Sequence, residues 1–346
     1  MTRWSVEQAQ EWYAKQPWLV GANFLPSTAV NQLEMFQEDT FDPDTIDREL
    51  GWAADLGFNT MRVYLHDLLW KDDKDGFVSR LSQFLDIANA RGIKPMLVLF
   101  DDCHRPDPVS GEQLKPIWGV HNCGWAQSPG HAIVKQFADG TVSEDERARL
   151  REFTVGVLTE FKDDDRILMW DLYNEPGNDA NPLLLEVWDW AKSVRPSQPM
   201  TACIEGCMAP SNYMTNLANS DIITFHTYSA DWLERTIAQH ESINCGRPIV
   251  CTEYMAREFG TTFQFSLPIF KAHNVGAINW GLVAGKSQTH FNWESVLKLE
   301  ERKEAGQFLE TGEMPPEPEL WFHDIFRMDG TPFSQDEVDF IKSMTT

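Results

Sequence analysis

The sequence of 346 residues predicts an α/β protein: a single (β/α)8 TIM barrel over residues 1–346, with long loops after its third and eighth strands. Short apolar segments rich in β-branched and aromatic residues recur along the chain, and helix-like segments lie between them, an alternation typical of a parallel sheet. Many of these segments are apolar nearly throughout, as expected of strands that are covered on both faces. Eight of them are found, the number that a closed barrel of this kind requires.

The predicted elements follow one another as repeated strand–helix units. Asp42 precedes Pro43 and predicts a helix that stops at Gly57, and Ser143 begins a helix whose first turn is acidic. The last helix is predicted over Ser334–Met344. The eight predicted strands are Trp18–Leu25, Phe58–Leu65, Ile93–Phe100, Ile167–Asn174, Pro199–Ile204, Asp221–Tyr228, Pro248–Glu253 and Val275–Leu282.

Two connecting segments are longer than a minimal barrel needs. Residues 101–142 follow the third strand and are rich in Pro, Gly and His, and residues 283–320 follow the eighth strand. In a (β/α)8 barrel both loops emerge at the face where the strands end, and long loops at that face are usually functional.

The charge balance excludes several classes of partner. With 29 basic and 53 acidic residues the net charge is −24, which repels nucleic acids and anionic membranes. The apolar run Met96–Phe100 is far shorter than the ~20 residues of a spanning helix. The first residues contain no apolar segment of the signal-peptide type, so the chain as written is expected in the cytoplasm, or secreted if a leader has been removed.

The six cysteines form no Cys-x-x-Cys pair. A chain of this length can build a core without disulfides, and the spacing of zinc ligands is absent. We therefore expect reduced cysteines in the core and neither a metal nor a cofactor. The sequence does not predict the oligomeric state.

Two glutamates lie at the ends of predicted strands four and seven. Strand four ends in Asn174-Glu175-Pro176 and strand seven ends in Glu253. Because barrel enzymes place their chemistry at the carboxyl ends of the strands, we expect the two side chains to face each other across the barrel mouth. Two carboxyl groups in one cleft are what cleavage of a glycosidic bond requires, one as proton donor and one as nucleophile or base.

Other residues at successive strand ends accompany this pair. They are Arg62 on strand two, His226-Thr227-Tyr228 on strand six and Trp280 on strand eight. Together with Asn174-Glu175-Pro176 and Glu253, they resemble clan A of the retaining glycoside hydrolases, and within it the cellulase-like family 5. The resemblance covers nearly the whole chain. It implies a retaining hydrolase of β-linked glucan, mannan or xylan-type glycosides, with an oligo- or polysaccharide substrate and no cofactor.

The resemblance implies roles for the two glutamates and the asparagine. Glu175 is expected to be the general acid and then the base, and Glu253 the nucleophile that forms a glycosyl-enzyme intermediate. Asn174 is expected to hydrogen-bond the 2-hydroxyl of the sugar. If the enzyme is retaining, the two carboxyl groups should lie about 5–5.5 Å apart.

The resemblance assigns supporting roles as well. Arg62 and Tyr228 are expected to hydrogen-bond the nucleophile and keep it ionised. His226 is expected near the acid, and Trp280 beneath the sugar ring. Asp102 and His104, after strand three, are predicted sugar contacts. Further loop residues either line subsites or hold the loops in place: His121, Asn122, Trp125, His290 and Trp293.

Alternatives remain open from the sequence. Glu205 and Glu258 compete with Glu253 for the role of nucleophile. The barrel could bind carbohydrate without catalysis, or the same covalent intermediate could serve transglycosylation. A metal-dependent hydrolase is a further alternative, with potential ligands at His66, Asp67, Asp102, His104, His226 and His290.

Overall fold

The computed structural model describes residues 3–204, 209–243, 246–310 and 316–346. Within them the strands are β1 (Val20–Asn23), β2 (Thr60–Tyr64), β3 (Met96–Asp101), β4 (Met169–Asn174), β5 (Met200–Thr201), β6 (Ile223–His226), β7 (Ile249–Glu253), β8 (Gly276–Trp280), β9 (Val283–Ala284) and β10 (Phe326–Arg327). The helices are α1 (Val6–Tyr13), α2 (Gln32–Phe36), α3 (Pro43–Asp55), α4 (Asp67–Ala90), α5 (His131–Ala138), α6 (Glu144–Glu160), α7 (Asn181–Val194), α8 (Pro210–Asn219), α9 (Leu233–Ile243), α10 (Phe263–Ala272), α11 (Leu299–Glu304) and α12 (Gln335–Thr345).

Eight strands form the predicted (β/α)8 barrel. Their order in the sheet is β5-β4-β3-β2-β1-β8-β7-β6, and each neighbouring pair is parallel. Backbone hydrogen bonds also join the two ends of the sheet, from Asp221 N to Met200 O (2.8 Å) and from Ile204 N to Thr224 O (2.9 Å). The fold class predicted from the sequence is confirmed. Strands β9 and β10 pair with each other outside the barrel.

Each of the eight barrel strands overlaps its predicted segment, and all eight are shorter than predicted. In proportion to its length β5 differs most, because only Met200 and Thr201 of its six predicted residues pair with β4. Strand β3 begins three residues later than predicted and extends to Asp101. The hydrophobic pattern therefore locates the strands, whereas their ends depend on pairing with neighbours.

The predicted helix starts are formed by side-chain caps. Asp42 accepts a hydrogen bond from Thr45 N, Ser143 from Glu146 N, and Ser334 from Glu337 N. Each of these bonds satisfies a backbone donor that has no partner within the helix itself.

The two ends of the barrel interior differ in polarity. Near the N-terminal ends of the strands, apolar side chains pack with Trp4 and Tyr13: Leu19, Met96, Leu168, Met169, Ile222, Val250 and Ile278. At the opposite end the interior holds buried polar side chains, including Asn23, Arg62 and Asp171. The buried polar side chains Asn23, Arg62 and Asp171 therefore place a candidate site at the C-terminal end of the barrel, where barrel enzymes carry their chemistry.

The long loops after β3 and β8 contain short elements of their own. Helix α5 lies within residues 101–142, and α11 lies within residues 283–320. Among the residues that the structure describes, no helix combines the length and the apolar character that crossing a membrane needs.

Candidate active site

Glu175, His226 and Glu253 meet at the C-terminal end of the barrel. One side-chain N or O atom from each lies within 4.8 Å of the others. His226 Nδ1 is 2.7 Å from Glu175 Oε1 and 3.6 Å from Glu253 Oε2. Residues far apart in sequence are thus brought together because β4, β6 and β7 end at the same mouth.

Glu253 ends β7 and is held by three donors. Arg62 Nη1 donates to Oε1 at 2.8 Å, and the Tyr64 hydroxyl donates to the same oxygen at 3.0 Å. The Tyr228 hydroxyl donates to Oε2 at 2.8 Å. The side chain is only 7% exposed. A guanidinium and two hydroxyl donors therefore surround the buried carboxylate and fix the orientation of both of its oxygens.

Arg62 is the centre of a fully buried polar network. Its Nη2 donates to Asp171 Oδ2 and Asn174 Oδ1, both at 2.7 Å, and its Nη1 donates to Asn23 Oδ1 at 3.0 Å. Burial lowers the pKa of Arg62, but the nearby negative charges of Asp171 and Glu253 outweigh burial and hold that pKa well above its ordinary value. Arg62 therefore stays charged and ties β1, β2, β4 and β7 together.

Glu175 follows β4 with a positive φ of 39°, a conformation that non-glycine residues adopt at some energetic cost. Its backbone N donates to Cys203 Sγ at 3.3 Å. Its carboxylate accepts hydrogen bonds from His226 Nδ1 (2.7 Å) and from the Cys103 thiol (3.2 Å). The side chain is 23% exposed, so it is more accessible than Glu253.

Glu175 and His226 form a coupled pair. Burial raises the pKa of the Glu175 carboxyl, but the hydrogen bond and positive charge of His226 outweigh burial and place this pKa below its ordinary value. Burial lowers the pKa of His226, but the carboxylates of Glu253 and Glu175 outweigh burial and raise it above its ordinary value. Both directions favour a protonated His226 beside a Glu175 carboxylate, joined by the 2.7 Å hydrogen bond.

Asn174 is oriented on both sides of its amide. Arg62 donates to Oδ1, and Nδ2 donates to Asp101 Oδ1 at 2.8 Å. Asp101 also accepts from Trp125 Nε1 at 2.5 Å, and burial raises the pKa of Asp101 to about 7. Asn174 Nδ2 also lies 3.5 Å from Cys103 Sγ, a weak acceptor that a hydroxyl group of a ligand could replace.

An open cavity of about 650 Å³ lies above these groups. Predicted residues on its lining are Asn174, Glu175, Tyr228, Glu253 and Trp280. Trp280 is half-buried and packs edge-on against Tyr64 and Trp125, with ring centroids 6.1 and 5.7 Å apart. The volume lies within the ~300–1,000 Å³ range of small-molecule sites.

The predicted sugar contacts after β3 also line this cavity. Asp102 accepts from the Tyr173 hydroxyl and from Gly177 N, both at 2.7 Å, so its two oxygens hold the turn after β4. His104 is exposed, and its Nε2 lies 3.2 Å from Asn122 Nδ2.

The other loop candidates divide into two groups. His121, Trp125 and Trp293 line the cavity. His290 does not: it is buried, with its ring 5.1 Å from that of Trp321. Asn122 lines a separate small cavity behind Trp125.

The competing acids have different outcomes. Glu258 is exposed and accepts from Asn292 Nδ2 at 3.0 Å, on the surface rather than on the cavity lining. Glu205 lies outside the described residues, as do Cys207 and Cys245. Cys103, Cys123, Cys203 and Cys251 are thiols.

One group within the described residues could offer three ligands to a metal ion: Glu175, His226 and Glu253. The Arg62 guanidinium already balances the charge of Glu253, and His226 Nδ1 already donates to Glu175. Glu253 and His226 Nδ1 would each have to give up these partners in order to bind an ion. Among the alternative ligands, His66 and Asp67 instead make hydrogen bonds to Gln127 O and Ser128 at the start of α4.

Two site residues were missed in the sequence. Tyr64 is two positions after Arg62 on β2, and because side chains alternate along a strand, both point into the barrel. That spacing could have identified Tyr64. Cys103 was expected only as a core cysteine, and the sequence carries no signal that its thiol reaches Glu175.

Sequence comparisons give no family: no protein-family model and no curated protein matches the chain. Solved structures do match over 94% of the chain. They include GH5_18 from Streptomyces cattleya in complex with GlcNAc (12% identity, 79% of that chain covered, TM-score 0.59). The exo-β-1,4-mannosidase Op5Man5 from Opitutaceae bacterium strain TAV5 also matches (17% identity, TM-score 0.60), although the chain spans only 59% of its length. A third is the endo-1,4-β-D-mannanase of Thermotoga petrophila RKU-1 (16% identity, 99% of that chain covered, TM-score 0.56).

The chain has the barrel fold of family 5 glycoside hydrolases. The resemblance inferred from the strand-end residues is therefore confirmed at the level of the fold. At these identities the matches do not extend to the activity or the substrate.

Proposed function

We propose that the chain is a retaining glycoside hydrolase of β-linked sugars, with Glu253 as nucleophile and Glu175 as acid/base. The observation that carries this proposal is the separation of the two carboxylates, whose nearest oxygens lie within 4.8 Å. Retaining enzymes hold these groups about 5–5.5 Å apart, whereas inverting enzymes need ~6.5–9.5 Å to admit a water molecule. The spacing supports double displacement.

In the first step a Glu253 oxygen attacks the anomeric carbon, and the bond to the leaving oxygen breaks. A proton passes from the Glu175–His226 pair to that oxygen, through the Glu175 carboxyl. Hydrogen bonds from Arg62, Tyr64 and Tyr228 hold the Glu253 carboxylate in position for attack. The products are a glycosyl ester on Glu253 and a free alcohol or sugar.

In the second step water attacks the ester carbon. The pair has lost its proton, so Glu175 can accept one from the water as the new bond forms. Cleavage of the ester returns Glu253 as a carboxylate and restores the proton to the pair. Each step inverts the anomeric centre, so the product keeps the β configuration.

Asn174 and Trp280 are suited to hold the sugar. Asn174 Nδ2 can donate to the 2-hydroxyl, where hydrogen bonding strengthens in the transition state. The Trp280 ring offers an apolar surface to the C–H face of a pyranose. Because solved neighbours are named as mannanases and a mannosidase, we propose β-mannosides as the first substrates to test.

The direct test uses a panel of aryl β-mannosides, β-glucosides and β-xylosides. The account expects release of the phenol from at least one, with the first sugar product in the β configuration by NMR. A first product of α configuration would contradict double displacement. Absence of turnover with retained sugar binding would favour a carbohydrate-binding barrel, and transfer to added sugar rather than water would favour a transglycosylase.

A further inference from the structure

We propose that this site removes single sugars from the non-reducing end of its substrate, an exo action that rests on the glycosidase function proposed above. The solved neighbours do not decide this, because they include an exo-mannosidase and an endo-mannanase. The loops that enclose one side of the cavity favour exo action instead.

The two carboxylates set the direction in which a glycoside runs. The acid must reach the glycosidic oxygen, so the leaving group lies on the side of Glu175 and the attacked ring extends away from it. Glu175 is contacted from the segments at the ends of β3, β5 and β6, by Cys103, Cys203 and His226. Trp280 and Trp125 lie over the opposite arc of strands, β8, β1 and β2, where Trp125 packs on Tyr64. The glycone therefore points towards this arc.

The loops after β3 and β8 meet over the arc and form a hydrogen-bonded wall. Asn122 N donates to Ser287 O (2.7 Å), and Gly119 N donates to Gln288 Oε1 (2.7 Å). Gln288 Nε2 in turn donates to Ile117 O (2.8 Å). Gln288 is fully buried, so these bonds are shielded from water.

The loop after β1 joins the same wall. Asn31 Nδ2 donates to Gly124 O (2.9 Å), and Lys286 N donates to Ser27 O (3.0 Å). The packing is tight, because a Cβ on Gly124 would lie 2.2 Å from a methyl carbon of Val30. Three loops thus close the side of the cleft towards which the glycone points.

The space between this wall and Trp280 is too small for a second sugar. A cavity of about 20 Å³ remains there, bounded by Tyr64, Asn122, Trp125 and Ser287 among others. One enclosed water needs about 10–15 Å³ of such volume, so the cavity suits a water molecule and excludes a pyranose. A second ring on the glycone side would have to enter this 20 Å³ space, so the ring attacked by Glu253 would be the end of the chain.

His121 gives the enclosed side a means of recognising a terminal hydroxyl. Its Nδ1 lies 2.8 Å from Phe291 O, and because a carbonyl only accepts, Nδ1 carries the hydrogen. Burial lowers the pKa of His121 to about 3, so the ring is neutral near pH 7 and Nε2 is an acceptor. His121 lines the main cavity, where an acceptor suits a hydroxyl that a longer chain would not present.

The experiment compares β-1,4-linked oligosaccharides with a free or a chemically blocked non-reducing end, each labelled at the reducing end. The sugar type is the one whose aryl β-glycoside is hydrolysed, so failure of the proposed function would appear separately, as no aryl glycoside turnover. From the free oligosaccharide we expect labelled products that are shortened by one sugar unit at a time. The blocked oligosaccharide should be cleaved at less than ~1% of the rate of the free one. Internal cleavage of the blocked oligosaccharide at a rate near that of the free one would overturn the proposal.

Two variants test whether the wall is the cause. Gln288→Ala removes both hydrogen bonds of that side chain, and we expect the ratio of blocked to free cleavage to rise at least tenfold. Lys115→Ala is the matched control, because it removes an exposed ion pair with Glu310 between the same two loops, and the ratio should stay at the wild-type value. A wild-type ratio in folded Gln288→Ala would overturn the role of the wall.

Discussion

The end of β4 and the end of β7 each present a glutamate to the same cavity, but the partners of the two carboxylates differ. Glu253 is bound by Arg62, Tyr64 and Tyr228, donors that remain protonated near neutral pH. Glu175 is bound by His226 and Cys103, and the imidazole of His226 can give up its proton as the pH rises through its raised pKa. The first set holds a constant charge, as a nucleophile needs, and the second can store and return a proton, as an acid/base needs. The partners therefore support the roles proposed for the two glutamates.

The largest expected effect comes from neutralising either carboxylate. Glu253→Gln and Glu175→Gln should each lower kcat/KM by several orders of magnitude, about 10³-fold or more, on substrates with poor leaving groups. Sugar binding, measured by calorimetry with an oligosaccharide, should persist because the amide is nearly isosteric. A variant that retains tens of per cent of wild-type turnover would exclude the residue from its role.

Substrates with different leaving groups should distinguish the roles of the two glutamates. A dinitrophenolate leaves without protonation, whereas a methyl or sugar leaving group needs the acid. The loss of first-step rate in Glu175→Gln should therefore be at least about 10²-fold smaller with a dinitrophenyl glycoside than with a poor leaving group. In Glu253→Gln the first-step rate should fall by the same factor with both kinds of leaving group. Pre-steady-state kinetics would measure this step. Equal losses with the two leaving groups in Glu175→Gln would contradict the role of Glu175 as the acid.

The basic limb of the pH profile should depend on His226. In the wild type the pair keeps its proton until the pH rises through the raised pKa of His226. In His226→Gln the proton must reside on Glu175 alone, whose acid form is lost at lower pH. The basic limb of kcat/KM should move down by about one unit or more. A limb at the wild-type position would show that the proton does not come from the pair.

The smallest effect is expected at Cys103. Its thiol donates to Glu175 and accepts from Asn174 Nδ2 at 3.5 Å, so it positions both side chains. Cys103→Ala should lower kcat by about fivefold, the value of one modest hydrogen bond, with little change in KM. Cys103→Ser keeps a donor and should restore most of the loss. Equal activity of all three proteins would remove Cys103 from the site.

The fold was predictable because its signal is local. Each strand is a short apolar run, and the residues that end β4 and β7 are read directly from the sequence. Asp42 and Ser143 likewise mark their helices by residue type. What depends on pairing, such as the two-residue length of β5, was not predictable in this way.

The site was predictable only in part, since several of its features are contacts between distant segments. The positive φ of Glu175, the thiol of Cys103 beside it and the ring of hydrogen bonds around Gln288 arise from the packing of loops on strands. Loop conformation also decides how many sugars fit, and apolar patterning carries no information about it.

The most direct test of the central claim is mass spectrometry of the protein after reaction with a 2-deoxy-2-fluoro-β-glycoside of the preferred sugar. The fluorine slows both steps, and a reactive leaving group lets the ester accumulate. We predict a mass increase of one fluorosugar, located by peptide mapping on Glu253 and absent in Glu253→Gln. A sugar attached to Glu205, Glu258 or Glu175 instead, or turnover that never labels the protein, would contradict the assignment.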